Sequence, residues 1–163
     1  MVPALGPIEE YNIVNGGSPF QSQWPEAASQ SYAINELVYL ASGKLTVCAA
    51  DAVSIWGLAK QAASGTTDTA RLVVLLSTAD FLSMSTYHGT PASAITAVAD
   101  IGAKFAIYRD TANKWHHIDV GDTGNDALVP VKIVTTVNSP VGTQYGRYIC
   151  RLLPAVIQSQ VAA

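Results

Sequence analysis

The chain has 163 residues, which suits a single domain large enough to bury its own core. Its net charge is -3 at pH 7 and its nine Lys and Arg residues are scattered, which argues against a nucleic-acid-binding surface. Charged residues make up only 13 % of the chain and hydrophobic residues 49 %, whereas a typical soluble domain is about 25 % charged. Such a low charge favours a component of an assembly, which buries part of its outer surface against partners. A small secreted β protein coated with Ser, Thr and Gln is the alternative.

The apolar runs are too short to cross a membrane, since even "RLVVLLSTADF" meets a charge well before about 18 residues. The start "MVPALGPIEE" has no basic region followed by a continuous apolar one, so we expect synthesis in the cytoplasm without a signal peptide. Cys48 and Cys150 lie far apart and form no CxxC motif. Buried free thiols are therefore favoured over a disulfide or a metal pair.

Residues 1–30 are predicted to form an extended N-terminal arm. This segment has no convincing hydrophobic period, and it carries Pro3, Pro7, Pro19 and Pro25 of the eight prolines. It also holds three aromatic residues of the kind that anchor interfaces, Tyr11, Phe20 and Trp24. We expect these three to dock on another surface. The alternative is that the segment wraps its own domain.

Residues 31–163 are predicted to form a β-rich domain. Short runs of strand-forming residues alternate with turn residues, as in "YAINELVYLA", "KLTVCA", "AVSIWGLAKQAA" and "RLVVLL". The segment "TPASAITAVADIG" predicts one short helix, because Thr90 can cap it, Pro91 suits the first helical position and Gly102 can end it.

The last third is again predicted to be β. The runs "AKFAIYR" and "KWHHIDV" flank the turn "DTAN" and predict a hairpin, and "VPVKIVTTV" and "RYICRLLPAVI" follow. Apolar residues within these runs are expected to form the core. They are Leu37, Val38, Leu45, Val47, Ile55, Leu58, Val73, Leu75, Phe105, Ile107, Ile133 and Ile149.

The stretch "NKWHHIDVGDTGND" has more site-like chemistry than any other part of the chain. If residues 114–120 form a strand, His116 and His117 point to opposite faces and cannot bind one ion. His117 and Asp119 share a face, but a third ligand would have to be His88 or a remote carboxylate, and the spacing selects neither. Structural histidines on a half-exposed strand are therefore favoured, with no metal site.

Motifs of other functional sites are missing as well. Read as a calcium loop from Asp119, the segment departs from the required pattern at three liganding positions, which hold Gly121, Thr123 and Pro130, so a turn between strands explains it better. The chain has no GxSxG, GxxxxGK[ST], GxGxxG or HExxH motif. We therefore expect no enzymatic activity, no catalytic residues and no cofactor.

Six segments follow one another from about residue 31 to 154: "INELVYLASGKLTVC", "SIWGLAKQAASG", "RLVVLL", "GAKFAIYRDTANKWHHIDV", "VPVKIV" and "SPVGTQYGRYICRLL". In this order they resemble bacteriophage head decoration proteins, also called cement proteins. The glycines in them, among them Gly43 and Gly57, suit tight turns or close backbone approaches. "WHHID" departs from the simpler aromatic strand expected there, which leaves a pH- or metal-linked contact open.

The resemblance implies a compact domain of the β-tulip or barrel-like type that sits on the outside of the mature capsid, commonly as a trimer, and clamps neighbouring capsomers. It implies the major capsid protein and further copies of the chain as partners, with no nucleic acid and no membrane, and a virion location. The alternatives are another phage structural domain of the tail or capsid, or a small carbohydrate-binding or hydrolase β module. If the chain is a decoration protein with an extended arm, deletion of residues 1–25 should leave the domain folded but weaken the oligomer or its attachment to the capsid.

Overall fold

The computed structural model describes residues 5–12, 21–137 and 139–158. These residues form two β-sheets and three short 3-10 turns, and this part of the chain contains no longer helix. The prediction of a mainly β domain is confirmed. No helix among the described residues is long and apolar enough to cross a membrane. In chain order the strands are β1 (Glu9–Asn12), β2 (Gln21–Pro25), β3 (Leu37–Ala41), β4 (Lys44–Val47), β5 (Gly57–Ala59), β6 (Ala70–Leu75), β7 (Phe81–Tyr87), β8 (Ala106–Asp110), β9 (Trp115–Asp119), β10 (Leu128–Val134) and β11 (Arg147–Leu152).

Sheet A has the strand order β10-β11-β7-β9-β8. Its strands pair antiparallel except for β7 and β9, which run parallel through the pairs Thr86–Ile118 and Tyr87–Asp119. β1 also joins this sheet, since it pairs antiparallel with residues 81–83 at the start of β7. β7 is thus the central strand, although the sequence analysis did not predict it.

Sheet B has the order β2-β6-β5-β3-β4, and all its neighbours are antiparallel. Sheet B curves strongly. A parallel bridge between Glu26, which follows β2 at one edge, and Leu45 of β4 at the opposite edge shows this curvature. This contact is one isolated bridge, with the backbone N–H of Ala27 donating to the Leu45 carbonyl at 3.0 Å. The sheet therefore curls without closing into a barrel.

Two glycines of sheet B have the roles that the sequence predicts. Gly43 has φ of +75° and follows Ser42 with φ of +50°, so the β3–β4 hairpin uses a two-residue turn with both residues left-handed. Gly57 opens β5 against β6. A Cβ atom there would lie 2.3 Å from the Val74 carbonyl oxygen, a contact too short for any other residue.

The main core lies between the two sheets, and a smaller cluster fills the curve of sheet B. Nine of the predicted core residues are buried: Leu37, Val38, Leu45, Ile55, Leu58, Val73, Phe105, Ile107 and Ile149. The prediction is wrong for Val47, Leu75 and Ile133, which are only partly buried. Val47 and Leu75 end their strands and Ile133 lies on the edge strand β10, where fewer neighbours cover a side chain. Cys48 and Cys150 are buried free thiols, as predicted.

The segment predicted as one short helix forms two separate 3-10 turns, Pro91–Ser93 and Val98–Asp100. Thr90 precedes the first turn and Pro91 begins it, but the Thr90 side chain makes no capping hydrogen bond. Between the turns Ile95 makes a bridge with Gln144, which holds the backbone extended and prevents a continuous helix.

The described parts of the predicted N-terminal arm pair with the domain itself. β1 adds to sheet A and β2 to sheet B, and Ile8 is fully buried. For these residues the structure favours the alternative in which the segment wraps its own domain. The arm's other residues before position 30 include Phe20, which lies outside the described residues.

Candidate functional site

The face of sheet A that points away from the core collects most of the chemically active side chains. In strands, alternate residues share a face, and cross-strand pairing places Tyr108 opposite His117, Asp110 opposite Trp115 and Tyr87 opposite Asp119. Ser85 and Arg147 are paired on the same face. We call this set the polar face: Ser83, Ser85, Tyr87, Tyr108, Asp110, Trp115, His117, Asp119 and Arg147.

His117 is fully buried on the polar face, with none of its surface exposed. Its Nδ1 atom lies 2.8 Å from the hydroxyl oxygen of Ser85, which is also fully buried. Its Nε2 atom has no hydrogen-bond partner among the described residues. Burial lowers the pKa of His117 to about 4, against the opposing pull of Asp110 and with a contribution from Arg147. The ring is therefore neutral at pH 7.

Aromatic rings cover His117. The rings of Tyr87 and Tyr108 stack parallel with centroids 3.5 Å apart, and Tyr108 in turn lies 6.4 Å from the His117 ring at an angle of 20°. Trp115 meets the His117 ring edge to face at 6.4 Å. A hydrogen bond with Tyr108, burial and nearby carboxylates raise the pKa of Tyr87 to about 12. All three aromatic side chains are partly exposed, so the polar face presents them to solvent.

The carboxylates of the polar face accept hydrogen bonds from their own turns. Asp110 accepts from the Asn113 side chain at 2.7 Å and from the backbone N–H groups of Ala112 and Asn113, and these bonds lower its pKa. Asp119 accepts from the Gly121 N–H at 2.9 Å, but its partial burial raises its pKa. Both aspartates shape the turns that follow their strands, and for Asp119 this agrees with the prediction that "DVGDTGND" forms a turn.

His116 lies on the opposite face of β9 and belongs to the contact between the sheets. The Leu37 N–H donates to its Nδ1 atom at 3.3 Å, so Nε2 carries the proton and donates to the Cys48 carbonyl at 2.9 Å. Burial lowers the pKa of His116 to about 3. The prediction that the two histidines point to opposite faces is confirmed. The expected half-exposed strand is a correction, because residues 116–118 are buried on both faces.

The Ser85–His117 contact has the composition of a nucleophile and its base, but its surroundings are those of a packed core. Neither side chain reaches solvent. The Ser85 hydroxyl is also shared with Gly6, whose N and O atoms lie 3.5 and 3.4 Å from it. A pocket of about 270 Å³ lies elsewhere, between Tyr39 and the β4–β5 connection. The pair therefore links the N-terminal residues to sheet A.

Among the described residues, no cluster of three or more His, Cys, Asp and Glu side chains could hold a metal ion. His88 lies beside Gly121 and near Asp119, which is where it would have to lie to serve as a third metal ligand with His117 and Asp119. His117, however, is bonded to Ser85 below the aromatic rings.

Of the predicted interface residues, the side chain of one is described. Trp24 on β2 is partly buried and packs against Trp56 on sheet B, with ring centroids 5.2 Å apart at 83°. Tyr11 lies within β1, and its side chain is outside what the structure describes. The three tryptophans therefore do not form one platform, since Trp24 and Trp56 pack together on sheet B and Trp115 lies on sheet A.

A second surface is apolar and was not predicted. Five exposed aliphatic side chains lie on three segments that hydrogen-bond to each other, through Gly102 N–H to the Pro130 carbonyl and Gly142 N–H to the Thr96 carbonyl. Val98 is the most open of them, with 70 % of its surface exposed. We call this set the apolar surface: Ile95, Val98, Ile101, Val131 and Val141. It lies at the edge of sheet A that ends with β10.

No strand was predicted at β7, so the predicted site residues did not include Ser83, Ser85 and Tyr87. The signal was present, since "FLSMSTY" alternates apolar Leu82 and Met84 with polar Ser83 and Ser85 at a period of two. The segment was not recognised as a strand because its serines are poor indicators of a strand.

The fold defines the chain as a two-sheet β domain with one polar and one apolar surface. Comparison with protein-family models, with curated proteins and with solved structures finds no match for it.

Proposed function

We propose that this chain is a structural virion protein that binds the outside of a mature phage capsid and stabilises its lattice. The partners are the major capsid protein and further copies of the chain, with a trimer as the expected oligomer. It is made in the cytoplasm of the bacterial host and ends on the capsid exterior. This is the function that the sequence resemblance implies.

The observation that carries the proposal is the apolar surface. Several exposed aliphatic residues on neighbouring segments of a domain are typical of a protein interface. Charged residues are depleted in the chain as a whole, which is a compositional feature of interface centres. A protein that binds the assembled lattice but not its dissociated subunits stabilises that lattice by mass action. No catalytic step is needed for this role.

The test is co-sedimentation of the purified chain with capsids assembled from the major capsid protein of the same phage, together with a thermal melt of those capsids. We expect saturable binding and a raised melting temperature. The double variant Val98→Asp/Ile101→Asp should bind at least tenfold more weakly, because it places charge in the interface. Val53→Asp is the matched control, since Val53 is 66 % exposed on the β4–β5 connection, outside the apolar surface. Equal binding by all three proteins would contradict the proposal.

The second candidate, a small carbohydrate-binding module, is favoured by one observation. Tyr87, Tyr108 and Trp115 are partly exposed beside Asp110 and Asp119, and aromatic rings with nearby acceptors suit a sugar ligand. Retention of the wild-type chain, but not of Trp115→Ala, on immobilised polysaccharides would support this candidate. Failure to bind any polysaccharide would remove it and leave the capsid proposal untouched.

A further inference from the structure

The stacked pair of Tyr87 and Tyr108 on the polar face has an unusual geometry. Aromatic rings normally stack with an offset and with their centroids about 4.5–7 Å apart. In this pair the centroids lie 3.5 Å apart and the ring planes differ by 2°. Because carbon atoms in contact are themselves about 3.5–4 Å apart, this distance leaves no room for an offset. The two rings therefore lie directly face to face.

The two rings also point in the same direction. A hydrogen bond with the Tyr108 side chain is the largest cause that raises the pKa of Tyr87. Hydroxyl groups at opposite ends of two stacked rings could not meet in this way. The Cε atoms, which are next to the hydroxyl-bearing carbon of each ring, are therefore brought over each other as well. These are the atoms that join when two tyrosines couple oxidatively.

The stacked pair is open to a reagent from solvent. Both of its side chains are partly exposed, whereas Tyr32 and Tyr148 are buried. Among the described residues no other two tyrosine rings contact each other. The carboxylates of Asp110 and Asp119 lie close enough to act on the Tyr87 hydroxyl. Because an oxidised phenol is a strong acid, either carboxylate can take the proton that it loses.

We propose that Tyr87 and Tyr108 form an oxidative cross-linking site, whose co-reactant is a one-electron oxidant such as a haem peroxidase with hydrogen peroxide. Each phenol gives one electron to the oxidant and its hydroxyl proton to a nearby base, which leaves two phenoxyl radicals. The radicals join through a Cε–Cε bond, and the hydrogens on those carbons then move to the oxygens, which restores both phenols. The chain loses two electrons and two protons, and one molecule of hydrogen peroxide is reduced to two molecules of water.

The cross-link closes a loop through residues 88–107. This loop holds the 3-10 turns Pro91–Ser93 and Val98–Asp100, and it carries three of the five residues of the apolar surface: Ile95, Val98 and Ile101. A covalent bond between the two ends of the loop restrains it, because fewer conformations are open to the loop when it loosens. The cross-link therefore restrains the segment that carries most of the apolar surface. Its chemistry does not depend on what binds there.

Treatment of the dilute full chain with a haem peroxidase and hydrogen peroxide tests the site, and a parallel sample of free tyrosine shows that the oxidant is active. Trypsin cleaves after Lys104 and so separates peptide 72–104, which contains Tyr87, from peptide 105–109, which contains Tyr108. We expect mass spectrometry to find these two peptides joined, at the sum of their masses less two hydrogen atoms. The oxidised protein should keep the mass of a single chain on a denaturing gel and show dityrosine fluorescence.

Matched variants identify the reacting pair. Tyr87→Phe and Tyr108→Phe each remove one phenol but keep its ring, so both should lose the joined peptides. Tyr145→Phe is the control, because it removes a partly exposed tyrosine outside the stacked pair and should keep the wild-type yield. Circular dichroism checks that each variant is folded. Oxidised wild type without the joined peptides, or dityrosine fluorescence that persists unchanged in Tyr87→Phe, would overturn the proposal.

Discussion

Arg109 on β8 and Glu36 just before β3 form a buried ion pair that joins sheet A to sheet B. The Arg109 Nε atom lies 2.8 Å from Glu36 Oε1, and Glu36 is 1 % exposed. The second carboxylate oxygen accepts from the Ala33 N–H at 2.8 Å, and Arg109 also donates to the Ser31 carbonyl. The pair therefore ties the segment before β3 to the neighbouring sheet.

Glu36→Ala should lower the free energy of unfolding by about 2–3 kcal/mol, because it leaves the partly buried guanidinium of Arg109 without its carboxylate partner. Urea denaturation measures this. The double variant Glu36→Ala/Arg109→Met should lose less than the sum of the two single variants, since it removes both charges. Lys44→Ala is the control: it breaks the exposed pair with Asp68 and should cost less than about 1 kcal/mol. Equal losses for Glu36→Ala and Lys44→Ala would contradict the role of the Glu36–Arg109 pair.

Gly57→Ala should destabilise the domain by roughly 3 kcal/mol or more, because the added methyl would meet the backbone of β6 at Val74 and force β5 away. Thermal unfolding followed by circular dichroism measures the change. Gly89→Ala serves as the control, since a Cβ there meets nothing within 4 Å. A melting temperature of Gly57→Ala close to that of Gly89→Ala would show that β5 can shift without cost.

Stability should fall in acid through the two buried histidines. Their pKa values in the folded protein, about 3 for His116 and about 4 for His117, lie below the ordinary value of 6.5, so the unfolded chain binds the additional protons. Their contribution is complete above about pH 6.5 and declines as the pH falls towards about 3, by roughly 1 kcal/mol per histidine per pH unit.

Urea denaturation at several pH values between about 7 and about 4 measures this slope. The double variant His116→Gln/His117→Gln should show a shallower dependence than wild type. Parallel curves for wild type and the double variant would mean that carboxylates alone cause the acid effect.

Removal of residues 1–25 should destabilise or unfold the domain, in contrast to the sequence-based expectation that the domain stays folded and only the oligomer or its attachment is weakened. The deletion takes away β1, β2 and the buried Ile8. Trp24→Ala alone should cost roughly 2–3 kcal/mol through its lost contact with Trp56. Denaturation and analytical ultracentrifugation of both variants separate a loss of fold from a loss of oligomer. A truncated chain of wild-type stability would restore the interpretation as an arm.

The sequence by itself determined the β class, most of the core and the opposite orientations of His116 and His117. These properties follow from local rules: side chains alternate along a strand, Gly43 permits a left-handed turn, and apolar residues between turns are buried. They need no knowledge of which strands become neighbours. For the same reason the sequence places His117 and Asp119 on one face but does not show what lies opposite them.

Only the tertiary structure decided what those residues contact. β7 brings Ser85 to His117 across 32 positions of sequence, and Arg109 meets Glu36 across 73. Pairing between strands far apart in sequence depends on the packing of both sheets, which no local pattern specifies. The same holds for the N-terminal residues, whose prolines and aromatics predict extension and contact but leave the partner open. The rest of the fold leaves strand edges unpaired and leaves a space for Ile8. For this reason the N-terminal residues pair with β7 and β6.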